Sequence, residues 1–203
     1  MSASVTRVLR SSIEQGRVGC LWFGITCASW SLARRGKPDY SGYPPPLRDS
    51  EVYLMGLPGL SPKDRHRVAL GNRQARWLVE IIRVCRRFSV PVVVENPASS
   101  RLWLYLSRRL GKPSSDTVFN HCRYGASFSK PTRLWSWNVD LSTLGLRCSG
   151  KVCVASGEPH VTLSGSDGRA FRTSYGAEYP PAFCAAAARL LASACQTCPS
   201  CRP

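Results

Sequence analysis

Val18-Gly19-Cys20-Leu21-Trp22-Phe23-Gly24-Ile25-Thr26-Cys27-Ala28-Ser29-Trp30-Ser31 is an apolar run that ends in a cysteine turn. Further along, Val92-Val93-Val94-Glu95-Asn96-Pro97 is a second apolar run, and it ends in an acid turn. A short continuous apolar stretch without alternation is the pattern of a strand buried on both faces, as in a parallel sheet. In such sheets ligands are handled where the chain leaves the C-terminal ends of the strands. A thiol at one strand end and a carboxylate at another could flank a flat heterocycle.

Outward from these two runs, the chain alternates between strand and helix signals. A first helix is expected over about residues 3–15, where Val5, Val8, Leu9 and Ile13 share a face. Residues 36–62 carry Lys37-Pro38, Pro44-Pro45-Pro46, Pro58-Gly59 and Ser61-Pro62, a density of breakers that reads as one long loop. Asp64 is placed to cap a helix over 65–88, with Val68, Ala75, Leu78, Val79, Ile82 and Cys85 at helical spacing and seven arginines around the remainder. His66 falls among those arginines and reads as a surface residue. After the strand at 91–95, Ser99 or Ser100 caps a short helix that ends near Gly111. Thr117-Val118-Phe119 and Arg133-Leu134-Trp135-Ser136-Trp137 read as strands, and 181–194 as an alanine-rich helix with proline in its first turn. This order predicts one α/β domain over residues 1–194, a Rossmann-like, mostly parallel sheet flanked by helices. Residues 147–170 read as an irregular Cys/Gly-rich insert, and 195–203 as a cysteine-rich tail.

Within 203 residues there are 28 Lys+Arg and 12 Asp+Glu, a formal charge of +16. Such an excess favours a polyanion, because cations placed near phosphates release condensed counterions. Nucleic acid is therefore the expected partner. No apolar run approaches the roughly 20 residues of a membrane span, and Arg7, Arg10 and Glu14 interrupt anything like a secretory signal. Ten cysteines without such a signal read as free thiols, metal ligands or a nucleophile in a reducing intracellular compartment, nuclear or cytoplasmic.

Thr26-Cys27-x-x-Trp30-Ser31 follows the first strand and Glu95-Asn96-Pro97 the second. Then come Cys122-x-Tyr124-Gly125, Lys130-Pro131-Thr132 and a late Tyr179-Pro180 before a helix. As an ordered set these resemble the DNA (cytosine-5)-methyltransferase superfamily, in particular its divergent phage- and mobile-element-type members. The resemblance spans roughly residues 18–183. It implies that Cys27 adds as a thiolate to carbon 6 of cytosine, making carbon 5 nucleophilic toward the methyl group of S-adenosylmethionine. It also implies that Glu95 holds the N3/N4 edge and protonates it, for which a raised pKa would help. Arg123 would bond the pyrimidine O2 or brace Glu95. Asn96, Ser31, Lys130 and Thr132 would complete the substrate-binding set. The cysteine needs a lowered pKa, which a helix N-terminus and nearby cations could supply. The base must be flipped out of a duplex or presented single-stranded.

The chain departs from the family at three places. Thr26 stands where proline is usual, and His121-Cys122-Arg123 where Gln-x-Arg is usual. Ahead of the cysteine strand there are 17 residues and no Phe-x-Gly-x-Gly motif, so the cofactor-binding residues are not identified: either a protein partner supplies that half, or the sequence is a fragment, or methyl transfer has been lost.

Cys148-x4-Cys153-x6-His160 offers three metal ligands, which Cys122 could complete to a tetrahedron on folding, with zinc the expected ion. Cys195-x2-Cys198-x2-Cys201 reads as a thiol-bearing tail. The alternative to an enzyme is a basic nucleic-acid-binding protein on a degenerate methyltransferase scaffold, contacting bases through Trp22, Trp30, Trp103, Trp135 and Trp137.

Overall fold

The computed structural model describes residues 2–34, 44–163 and 176–197, with side chains as far as 195. Its elements are α1 (Ala3–Glu14), β1 (Leu21–Gly24), α2 (Pro62–Arg87), β2 (Val92–Pro97), α3 (Leu102–Leu110), β3 (Ser115–Asn120), β4 (Pro131–Trp137) and α4 (Pro181–Thr197). Single 3-10 turns cover Cys27–Ser29, His121–Tyr124 and Ser142–Leu144.

The sheet has the order β1-β2-β4-β3. β1 and β2 are parallel, with Leu21 opposite Val92 and Gly24 opposite Glu95. β4 lies antiparallel to both β2 and β3. The fold is thus α/β, but the sheet is mixed rather than mostly parallel. The reason is connection length. A parallel return needs a crossover of about a dozen residues or more. α2 supplies one between β1 and β2, whereas only residues 121–130 separate β3 from β4.

Period-two alternation along β2 divides the core. Val92 and Val94 pack with Leu78, Ile82 and Leu106 of α2 and α3. Val93 faces Phe119, Leu134 and Phe183 on the α4 side. Helices therefore cover both faces of the sheet. Full burial of each such side chain favours the fold by about 1.5–3 kcal/mol relative to exposure.

Ser61 rather than Asp64 is the N-cap of α2. The Asp64 backbone N–H donates to Ser61 Oγ (3.2 Å), and that hydroxyl donates to Asp64 Oδ2 (3.0 Å). Pro62 can therefore open the helix where its missing N–H costs nothing. Residues 44–61 form turns, in keeping with the long-loop expectation, while 35–43 lie outside the described residues. α4 runs to Thr197, so the helix overruns the expected tail boundary; Cys198 and Cys201 lie outside the described residues. No helix among the described residues is long and apolar enough to cross a membrane.

Candidate functional site

The β1 and β2 ends are stitched together. Asn96 Nδ2 donates to the Ile25 carbonyl (2.7 Å), and Arg101 N–H donates to the Trp30 carbonyl (3.0 Å). With Gly24 opposite Glu95, the cysteine turn and the acid turn leave the sheet side by side at one end.

A buried arginine holds the cysteine turn from behind. Arg48 is 1% exposed. It donates to the Ser29 carbonyl (3.0 Å), Ser29 Oγ (2.9 Å), Asn72 Oδ1 (2.6 Å) and the carbonyls of Leu54 and Val68. Its guanidinium stacks 3.5 Å over the Trp30 ring. All its acceptors are neutral, and desolvation, with Arg101 adding repulsion, brings its pKa down to about 10. Gly71 lets α2 approach this node, since a Cβ there would lie 2.5 Å from Ser29 Oγ.

Glu95 is buried, and its carboxylate Oε2 accepts from the Tyr179 hydroxyl (2.9 Å), which itself accepts from Trp22 Nε1 (3.3 Å). Burial raises the Glu95 pKa, against the opposing pull of Lys130 and the Tyr179 hydrogen bond. Tyr179 is pushed up strongly, by burial first and then by the Glu95 charge. Lys130 anchors its ammonium on the Gly176 carbonyl (2.8 Å) and exerts its field on Glu95 and Cys27 alike.

Cys27 is exposed, yet its thiol is raised rather than lowered. Desolvation by the surrounding protein is the largest cause; Lys130 opposes it and Glu95 adds to it. The expected helix N-terminus is a single 3-10 turn, too short to supply a helix dipole that would stabilise a thiolate.

The remaining expected site residues divide. Arg123 does not brace Glu95: its Nη1 donates to the Arg147 carbonyl (3.2 Å), and Tyr179 takes the bracing position. Thr132 is fully buried against His121 Nε2 (3.1 Å), so it supports the fold rather than facing a substrate. Ser31 Oγ accepts from Ala33 N–H within its own turn. Asn96 shapes the turn with its amide nitrogen, but its Oδ1 is buried without a partner. His121 is also fully buried, stacked on Phe119 and tilted toward Tyr179, with Nδ1 unpartnered. Tyr179 is a candidate site residue to which the sequence alone assigns no role, although its place in Tyr179-Pro180, just before α4, is a visible signal.

Trp30, Trp103, Trp135 and Trp137 are buried in the core, and Trp22 packs edge-on against Tyr179 and Phe183. The buried four therefore cannot form a stacking platform for bases. The exposed face of α2 instead presents Arg65, Arg73, Arg76, Arg83, Arg86 and Arg87.

A second cluster lies beyond β3. The ligand atoms of Cys122, Cys148, Cys153 and His160 all fall within 4.8 Å of one another, a set that could hold a metal ion. Cys122 comes from the 3-10 turn after β3, and the other three from the insert. Backbone N–H groups of Ala155 and Ser156 bring the Cys153 thiol down to about 6, while burial and the neighbouring cysteines push Cys122 up to about 12.

No protein-family model matches the chain, and no match was found among the curated proteins or the solved structures.

Proposed function

We propose that the chain handles a cytosine base in DNA by the chemistry of the cytosine-5 methyltransferases, with Cys27 as nucleophile and Glu95 as the acid on the ring edge. The observation that carries this reading is the pairing of Gly24 with Glu95 on adjacent parallel strands, locked by the Asn96–Ile25 bond. It sets thiol, carboxyl and Lys130 ammonium within one another's electrostatic reach. The raised Glu95 pKa supports the acid role.

In the proposed step Cys27, once deprotonated, forms a bond to carbon 6 of a flipped-out cytosine. The electron pair of the 5,6-double bond moves through the ring as N3 takes the Glu95 proton, leaving an enamine. Carbon 5 then accepts a proton from water. The hydroxide so formed takes the original carbon-5 hydrogen as a proton, the thiolate is expelled, and return of the N3 proton to Glu95 regenerates cytosine. The net result is hydrogen exchange at carbon 5.

Among the described residues the segment just ahead of β1 is helix α1 rather than a glycine-rich loop, so no residue is assigned to S-adenosylmethionine. Methyl transfer would need a cofactor pocket from outside the described residues. Zinc, the ion expected for the Cys/His cluster, would serve structure there rather than reaction. Free thiols and a +16 charge go with an intracellular, nuclear or cytoplasmic setting.

Release of tritium from cytosine labelled at carbon 5 in single-stranded DNA, without cofactor, tests the reading. Wild type is expected to release label above the blank, and Cys27→Ser to release none. DNA binding without release, unchanged by Cys27→Ser and Glu95→Gln, would favour the second reading, a non-catalytic DNA-binding protein. The raised Cys27 thiol and the arginine face of α2 speak for that alternative.

A further inference from the structure

We propose that Cys122, Cys148, Cys153 and His160 form a closed structural zinc site that fastens the insert to the end of β3. Tetrahedral zinc with sulfur at about 2.3 Å and nitrogen at about 2.0 Å sets ligand atoms about 3.5–3.8 Å apart. Cys148 Sγ and His160 Nε2 are 3.7 Å apart. His160 Nδ1 lies 3.1 Å from the Gly150 carbonyl. A carbonyl only accepts, so Nδ1 carries the proton and Nε2 turns its lone pair to the three sulfurs, the orientation that outer hydrogen bonds impose on metal-bound histidine.

A second, independent observation is how little else holds the insert. Between residues 147 and 163 the buried residues are Cys148 and Cys153 alone, while Val152, Val154 and Val161 are exposed at 48%, 65% and 55%. Leu163, at the very end, is half-buried and lies against Gly176, but apart from the two cysteines no side chain of this stretch is fully buried. Its backbone is nevertheless ordered around the sulfurs. Cys153 N–H donates to the Glu158 carbonyl, Gly157 N–H to the Cys153 carbonyl, and His160 N–H to the Lys151 carbonyl, at 2.8–2.9 Å. Gly157, at φ +75°, supplies the left-handed turn this path requires. Cys148 N–H and Val161 N–H tie the segment to Asn120 Oδ1 and the Ser127 carbonyl.

Three thiolates and one imidazole select zinc among common ions, since calcium and magnesium take oxygen ligands and iron–sulfur clusters favour four cysteines. Four protein ligands leave no open position, which makes the site structural. The same turn carries His121 beside Tyr179, so the ion would also steady the wall of the strand-end site.

The test is metal analysis of the protein purified under reducing conditions without chelator, together with cobalt substitution. About one zinc per chain is expected, and the cobalt form is expected to show the intense visible bands of a tetrahedral, thiolate-rich site. Cys148→Ser is expected to lose the ion, while Cys184→Ser, an exposed cysteine outside the cluster, keeps it. Should Cys148→Ser fail to fold, chelation of wild type replaces it: removing the ion should lower the melting temperature and make the three cluster thiols reactive together. Folded protein without metal, a disulfide within the cluster, or metal retained by Cys148→Ser would overturn the proposal. None of these readouts involves DNA or cytosine, so they stand apart from the reading of Cys27 and Glu95.

Discussion

The strand-end site and the Cys/His insert are both clusters of reactive side chains, but they are held in opposite ways. Around Cys27 and Glu95 the support is sheet register, the Asn96 amide and the neutral-acceptor cage of Arg48. Around Cys122 and Cys148 there is almost no apolar packing, and order comes from backbone turns wrapped on sulfur. Neither scaffold fixes thiol acidity by itself: Cys27 is pushed up by desolvation, while within the one insert cluster Cys153 is pulled down by backbone N–H groups and Cys122 is pushed up by burial and its neighbours.

The largest expected effect comes from chelation followed by hydrogen exchange. Amides over 148–161 should exchange like an unfolded segment while those of 92–96 keep their protection. Equal loss in both regions would erase the contrast. Next, Arg48→Met should destabilise the protein by about 3 kcal/mol in denaturant titration, because several buried acceptors lose their donor. It should also slow any chemistry of Cys27 without changing zinc content. Tyr179→Phe removes a donor to a carboxylate and should cost about 1.5–3 kcal/mol. It should also move the Glu95 titration further up, since that bond lowers it.

The smallest effect is in pH dependence. The folded-state pKa of Glu95 lies above its ordinary value of 4.5, so the folded state binds the proton more tightly than the unfolded chain. Its contribution to stability is full below the ordinary value and is lost as pH rises through the raised one. Glu95→Gln should flatten that decline in chemical denaturation between pH 4 and 8. A steeper decline in the variant would contradict the direction of the shift.

Much of this fold was legible because apolar runs and breakers are local signals. Val92–Val94, the face of α2 and the proline start of α4 all read correctly from spacing. The sheet's mixed sense did not, since strand direction depends on how the ten residues 121–130 fold back. The Cys/His cluster that could hold a metal was legible from Cys148-x4-Cys153-x6-His160, with Cys122 brought to it from afar. Tyr179 and Arg48 were the harder cases. Tyr179 meets Glu95 84 residues away and Arg48 meets Ser29 and Asn72 19 and 24 residues away, and no spacing rule connects a phenol before α4 to a carboxyl on β2. The raised Cys27 thiol was illegible for a related reason: it depends on how the turn is covered by neighbours, not on the turn's own residues.

Whether Cys27 and Glu95 act on one pyrimidine is most directly measured by intact mass and peptide mapping after incubation with an oligonucleotide carrying 2-pyrimidinone, which is electrophilic at carbon 6, in place of cytosine. The expected result is one covalent adduct, at Cys27, absent in Cys27→Ser and much slower in Glu95→Gln. No adduct on folded, DNA-bound protein, an adduct at a different cysteine, or a rate indifferent to Glu95→Gln would contradict it.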